Sequence, residues 1–286
     1  VQRIGSARSL RIAHPFPSSN QGLPMKLLKP VLLTAVLAAL ALDAGAALAA
    51  KKATPVATSP ATTVVLVHGA FADGSSWDKV IPLLQARGLH VVAVQNPLTS
   101  LAEDVAFTQR VIDAQAGPVV LVGHSWGGTV ITQAGDDARV KALVYVAGLA
   151  PAIGEGSLDA LKAYPASPGL AHPVATPDGF LTLSADAVRK DFAQDVTPAE
   201  ANLIAATQGA VRGANFEEKV TVAAWTTKPS WYIVAGKDRM IQPAAERALA
   251  ARMKATTTEL ASSHVPMVAQ PARVAAVIAA AAASVH

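Results

Sequence analysis

The chain has no cysteine among its 286 residues, so a stable fold has to rest on a buried core and not on disulfides. It has no H-E-x-x-H and no other ligand-spaced pair of histidines and acids, which removes the sequence signature of a zinc site. The charge balance gives no support to a clustered basic face, the footprint of nucleic-acid binding. The formal charge of +4 resides in the first 49 residues, where Arg3, Arg8, Arg11, Lys26 and Lys29 face Asp43 alone. Beyond them acids and bases are equal in number. No apolar run reaches the roughly 20 residues that a membrane-spanning helix requires.

The one apolar run of note lies near the start. Met25-Lys26-Leu27-Leu28-Lys29 is followed by an apolar stretch from Val31 to Leu42 and by small residues ending Ala47-Leu48-Ala49. That is the order of a basic region, a hydrophobic region and a cleavage site in a secretory signal peptide. The expectation is therefore an exported protein, periplasmic or secreted, cleaved after Ala49 and without stable membrane insertion. Residues 1–24 read as upstream sequence translated from an early start, and residues 50–62, polar with two prolines, as a flexible linker.

From Val64 onward, strands and helices alternate. Val64 to Val67, Val91 to Val94, Pro118 to Val122, Ala142 to Ala147, Trp231 to Ala235 and Thr256 to Leu260 are short β-branched or apolar runs. Such runs suit strands buried on both faces. Helical spacing joins Trp77, Val80, Ile81, Leu83 and Leu84, then Leu101, Val105, Thr108, Val111 and Ile112, and recurs from Ala244 to Met253 and from Ala272 to Ala283. Repeated β-α-β units predict an α/β fold with a doubly wound, mainly parallel six-stranded sheet. The interval 152–228 breaks the rhythm with many prolines and glycines, two amphipathic stretches (Ala185 to Asp195 and Pro198 to Gln208) and aromatics at Tyr164, Phe180, Phe192, Phe216 and Trp225. A structureless loop of that length is improbable, so the segment is expected to be a mostly helical cap at the carboxyl edge of the sheet. Ligands bind at that edge in such folds.

Chemistry concentrates at residues 123–127, Gly-His-Ser-Trp-Gly, directly after a buried strand. G-x-S-x-G in that setting is a nucleophile elbow, with Ser125 at the tip of a strand-to-helix turn. A serine hydroxyl needs a base to take its proton and an acid to orient that base. Of the seven histidines, His264 follows the last strand and lies at the same edge as Ser125. His68 and His124 read as packing or turn residues. Asp238, in Gly236-Lys237-Asp238-Arg239 after the fifth strand, is the acid; the competing position after Ala147 has no carboxylate until Glu155. His68-Gly69-Ala70-Phe71 follows the first strand, so the amide of Ala70 converges with that of Trp126, and the two form an oxyanion hole. Phe71 and Trp126 are expected to floor the substrate pocket, with Val265 beside them and the cap supplying the rest. The bulk of Trp126 would restrict the acyl group to small or medium size.

The set Val67-His68-Gly69-Ala70, Gly123-His124-Ser125-Trp126-Gly127-Gly128, Gly236-Lys237-Asp238 and Ser263-His264 resembles the α/β-hydrolase fold. The order Ser, Asp, His along the chain is that of its triad. Within the fold it is most similar to the branch of plant methylesterases, hydroxynitrile lyases and bacterial pyrethroid-hydrolase-like esterases. The resemblance implies Ser125 as nucleophile, Asp238 as acid and His264 as base, with no cofactor and no metal. It implies a small-molecule ester as substrate. The lyases of the branch carry threonine where Gly69 stands and lysine where Val265 stands, which disfavours cyanohydrin cleavage. Serine at 125 argues against a haloalkane dehalogenase, whose nucleophile is a carboxylate. A perhydrolase or haloperoxidase-like activity on the same triad remains open, as does a ligand-binding relative with slow turnover.

Overall fold

The computed structural model describes residues 61–285; the expected signal peptide at Met25 to Ala49 and nearly all of the linker lie outside them. Among the described residues nine strands occur: β1 Thr63–Val67, β2 His90–Val94, β3 Val119–His124, β4 Val140–Val146, β5 Val174–Ala175, β6 Phe180–Thr182, β7 Val211–Arg212, β8 Ser230–Ala235 and β9 Thr256–Leu260. Six form one sheet in the order β2-β1-β3-β4-β8-β9, and every pairing in it is parallel. The helices are α1 Ile81–Gln85, α2 Leu101–Asp113, α3 Trp126–Ala134, α4 Ala185–Ala187, α5 Pro198–Thr207, α6 Pro243–Arg252, α7 Pro266–Ala269 and α8 Pro271–Ala283.

The apolar runs become the inner strands for the reason that makes them legible. β1 and β3 are buried at every position, since helices cover both faces of a parallel sheet and no face is left for polar residues. The edge strands β2 and β9 are largely solvent-accessible, and β9 is correspondingly rich in threonine. Between β4 and β8 the rings of Tyr145 and Tyr232 stack 6.1 Å apart. Both hydroxyls are satisfied in the core: Tyr145 pairs with Thr132 at 2.9 Å, and Tyr232 donates to the carbonyl of Gly148 at 2.5 Å.

One expectation is corrected. The helical spacing from Trp77 to Leu84 is divided into a 3₁₀ turn, Gly74–Trp77, and the short α1. Asp73 starts the turn by accepting the amide of Ser75 at 2.7 Å. The cap, expected to be mostly helical, carries strands as well as helical segments. α5 carries a capping box of Thr197 and Glu200, and a π-helical turn, Val188–Phe192, extends α4. Alongside them, β5, β6 and β7 make a small antiparallel sheet. Among the described residues no helix is long and apolar enough to cross a membrane.

Candidate active site

Four loops at the carboxyl edge of the sheet meet around one cavity. The loop after β1 brings Ala70 and Phe71, the turn after β3 brings Ser125, the loop after β8 leads through Asp238 to Met240 and Ile241, and the loop after β9 brings His264.

Ser125 sits between β3 and α3 with φ 51° and ψ −121°. This is a conformation that L-residues rarely adopt and that costs on the order of 1–3 kcal/mol. The neighbouring glycines are required by space. A Cβ at Gly123 would lie 2.4 Å from the carbonyl oxygen of Gly127, and one at Gly127 would lie 2.6 Å from that of Val67. The obstructing atoms are backbone and cannot rotate away.

His264 and Asp238 are buried, and their side chains join through Nδ1 and Oδ2 at 2.5 Å. The other oxygen of Asp238 accepts the amides of Met240 at 2.6 Å and Ile241 at 2.9 Å. The carboxylate is thus fixed in plane and presents one oxygen to His264. Ser125 and His264 share the cavity wall. Among the described residues, neither the amide of Ala70 nor that of Trp126 donates a backbone hydrogen bond. The Trp126 amide also opens α3, where the helix terminus favours negative charge.

Sequence reasoning assigned His68 and His124 to packing or turns, and the structure gives each a hydrogen-bonding task. The Nδ1–H of His68 donates to the carbonyl of Gly69 at 2.9 Å, while its Nε2 accepts the amide of Asn96 at 2.9 Å. The first bond fixes the Gly69–Ala70 peptide plane, and with it the direction of the Ala70 N–H. His124 donates from Nε2 to the carbonyl of His264 at 2.8 Å, with the two rings 4.8 Å apart. Burial holds both His68 and His124 below the usual imidazole range, so each stays neutral in the tautomer its partners dictate. Glu246, on α6, is fully buried and accepts the amide of Ala235 at 2.9 Å. Burial, reinforced by the neighbouring Asp238 carboxylate, pushes its acid well above the usual range.

The cavity measures about 220 Å³. Phe71, Leu149, Met240 and Ile241 line it from the sheet side, and Leu158, Leu161, Leu170, Leu181 and Phe216 from the cap. Its polar residues are Ser125, His264 and Ser157, the last paired with Thr129 through their hydroxyls at 2.7 Å. Two pocket assignments are corrected. The Trp126 side chain does not line the cavity; it is fully buried, donates its indole N–H to Asp104 at 2.7 Å, and meets Phe216 edge-on at 5.6 Å. Val265 is buried at the start of α7, with its amide toward the Ser263 hydroxyl at 3.4 Å, and is also absent from the wall. The expected restriction by Trp126 therefore falls away. Phe71 does face the cavity, in a left-handed backbone conformation with φ 58°.

Residues 64–277 match the model of the alpha/beta hydrolase family. A probable hydrolase of Phoma sp. is 28% identical over 244 residues, 76% of this chain and 96% of its own length. A pyrethroid hydrolase from Sphingobium faniae superposes with a TM-score of 0.66 at 22% identity, over 78% of this chain and 98% of that one. Polyneuridine aldehyde esterase superposes with a TM-score of 0.67 at 18% identity, over 77% and 98%. At these identities the two superpositions show a common fold.

Proposed function

Because the chain belongs to the alpha/beta hydrolase family, we propose that it cleaves carboxylic esters of small or medium apolar molecules through an acyl-enzyme on Ser125. The observation that carries this reading is the Asp238–His264 pair, buried on the wall that also holds Ser125 in its strained turn.

In the proposed reaction, Asp238 accepts the Nδ1–H of His264, which leaves Nε2 free to take the Ser125 proton. The serine oxygen attacks the ester carbonyl, and the amides of Ala70 and Trp126 hold the developing oxyanion. His264 then protonates the departing alcohol. Water enters, gives a proton to the same histidine as its oxygen attacks the acyl carbonyl, and the bond to the serine oxygen breaks as His264 returns that proton to Ser125, releasing the acid. The buried Asp238 carboxylate stabilises the imidazolium formed in both halves of the reaction.

The cavity supports an apolar, uncharged substrate. Among the described residues its wall has no lysine, arginine, aspartate or glutamate, so a charged group on the substrate would be desolvated without a partner. Relatives that carry the names pyrethroid hydrolase and polyneuridine aldehyde esterase are in keeping with ester chemistry in such a pocket. Export through the segment Met25 to Ala49 belongs to the same proposal, and the amino terminus of the protein recovered from the medium or periplasm tests it. An intact Met25 there would refute cleavage.

Steady-state turnover of p-nitrophenyl acetate, butyrate and octanoate, measured beside the Ser125→Ala variant, tests the function. The expected result is multiple turnover that disappears with Ser125. A folded protein that binds such esters without turning them over would point to the ligand-binding alternative.

A further inference from the structure

Asp104 lies on the buried face of α2 with Leu101, Thr108 and Ile112, shielded from solvent. Its carboxylate is held from two sides. Oδ2 accepts the indole N–H of Trp126 at 2.7 Å, and Oδ1 accepts the amide of Leu98 at 2.8 Å. Each donor leads to a different part of the site. Trp126 follows the nucleophile, and its ring supports Phe216 on the cavity wall. Leu98 has φ 61°, and its carbonyl accepts the amide of Arg212 at 2.9 Å and the side-chain amide of Asn215 at 3.0 Å. Those two residues flank Gly213, which lines the cavity, and lead directly into Phe216. A parallel tie runs beside it, from the Leu101 amide to Glu218 of the cap at 2.9 Å.

We propose that Asp104 is a positioning residue that locks the Trp126 indole and, through Leu98, the cap segment 211–216 into register with the nucleophile turn, and so sets which acyl chains the Phe216 wall admits. The statement about acyl chains rests on the ester-hydrolase reading; the tie itself does not. Two N–H groups converging on one side chain require an acceptor at both of its atoms, which a carboxylate supplies and an amide does not. Among the described residues no cation accompanies the group. Burial raises its pKa to about 6 against the pull of its two hydrogen bonds, and the charged neighbours that bear on it, Glu103 on α2 and Glu218 from the cap, are both acidic and push the same way. A proton on Asp104 turns one acceptor into a donor facing an N–H. The tie is complete at neutral pH and loosens below about pH 6.

The test reads the ¹H–¹⁵N resonance of the Trp126 indole in the wild-type protein from pH 8 down to about pH 5, identified by its loss in Trp126→Phe. It is combined with kcat/KM for octanoate and acetate esters in the wild type, Asp104→Asn, Trp126→Phe and the double variant. The indole resonance should titrate with a midpoint near 6 and become pH-independent in Asp104→Asn. Octanoate turnover should fall at least about tenfold more than acetate turnover in Asp104→Asn, and the double variant should be no worse than the poorer single one. A wild-type indole that does not respond to pH, equal losses on both esters, or losses that multiply would each overturn the proposal. If Asp104→Asn does not fold, the wild-type titration and the octanoate-to-acetate ratio of Trp126→Phe decide alone. A titrating indole in a protein that hydrolyses neither ester would refute the ester reading and leave the tie standing.

Discussion

Asp238→Asn is the substitution whose outcome the geometry specifies most fully. Oδ1 of Asp238 accepts two backbone amides, from Met240 and Ile241, and Oδ2 faces Nδ1 of His264 at 2.5 Å. An asparagine can keep the first pair only by placing its carbonyl oxygen there. Its NH₂ must then point at His264 Nδ1, which turns from donor to acceptor. The imidazole proton moves to Nε2, and the nitrogen that should receive the Ser125 proton is already protonated. A triad acid replaced in this way loses about 10⁴-fold in kcat, or about 5.5 kcal/mol of transition-state stabilisation at 1.36 kcal/mol per factor of ten. The fold should hardly notice, because the amide fills the same volume and keeps the two backbone bonds. The assay is p-nitrophenyl butyrate turnover together with thermal unfolding of the same preparation. A loss below about tenfold in a folded variant would refute Asp238 as the orienting acid. Glu155, the competing carboxylate after β4, already accepts the Ala152 amide at 2.8 Å and pairs with Arg252.

Gly127→Ala places a Cβ 2.6 and 2.7 Å from the carbonyl oxygens of Val67 and His68; overpacking against backbone should cost about 1–3 kcal/mol, seen as a lower urea midpoint, and an unchanged midpoint would contradict the close approach. His124 is neutral in the native state and titrates near its ordinary 6.5 when unfolded. The unfolded chain therefore takes up a proton that the native one does not, and the stability this group contributes is present above about pH 6.5 and lost as the pH falls below it. His124→Gln, whose side-chain amide can still donate to the His264 carbonyl, should flatten the fall in unfolding temperature between about pH 7 and pH 5. An equally steep fall would assign the acid sensitivity to other groups.

Much of this molecule was legible in its sequence, and the exceptions share a cause. The inner strands declare themselves because burial on both faces permits only apolar, β-branched runs, and the turn at Ser125 because no side chain but hydrogen fits at Gly123 and Gly127. The cap sheet was not legible: β5 and β7 are two residues each and β6 is three, too short for a periodicity to develop, and β7 joins β6 only across the intervening helices. The direction of the Trp126 side chain was also hidden. The first residue of a helix can face either the cavity or the neighbouring helix, and what decides is Asp104, twenty-two positions earlier. A signal for that acid did exist, since Asp104 falls on the apolar stripe of Leu101, Thr108 and Ile112, where a carboxylate has no place without a partner. His68 and His124 looked like turn residues because their partners are main-chain groups, which leave no mark on a sequence.

The proposed reaction passes through a covalent intermediate on Ser125, which the peptide mass spectrum of the protein quenched with acid during turnover of p-nitrophenyl butyrate detects. The expected result is a butyryl adduct on the peptide that contains Ser125, formed as p-nitrophenol is released and absent from Ser125→Ala. Sustained hydrolysis without that adduct, or hydrolysis that survives in Ser125→Ala, would contradict it.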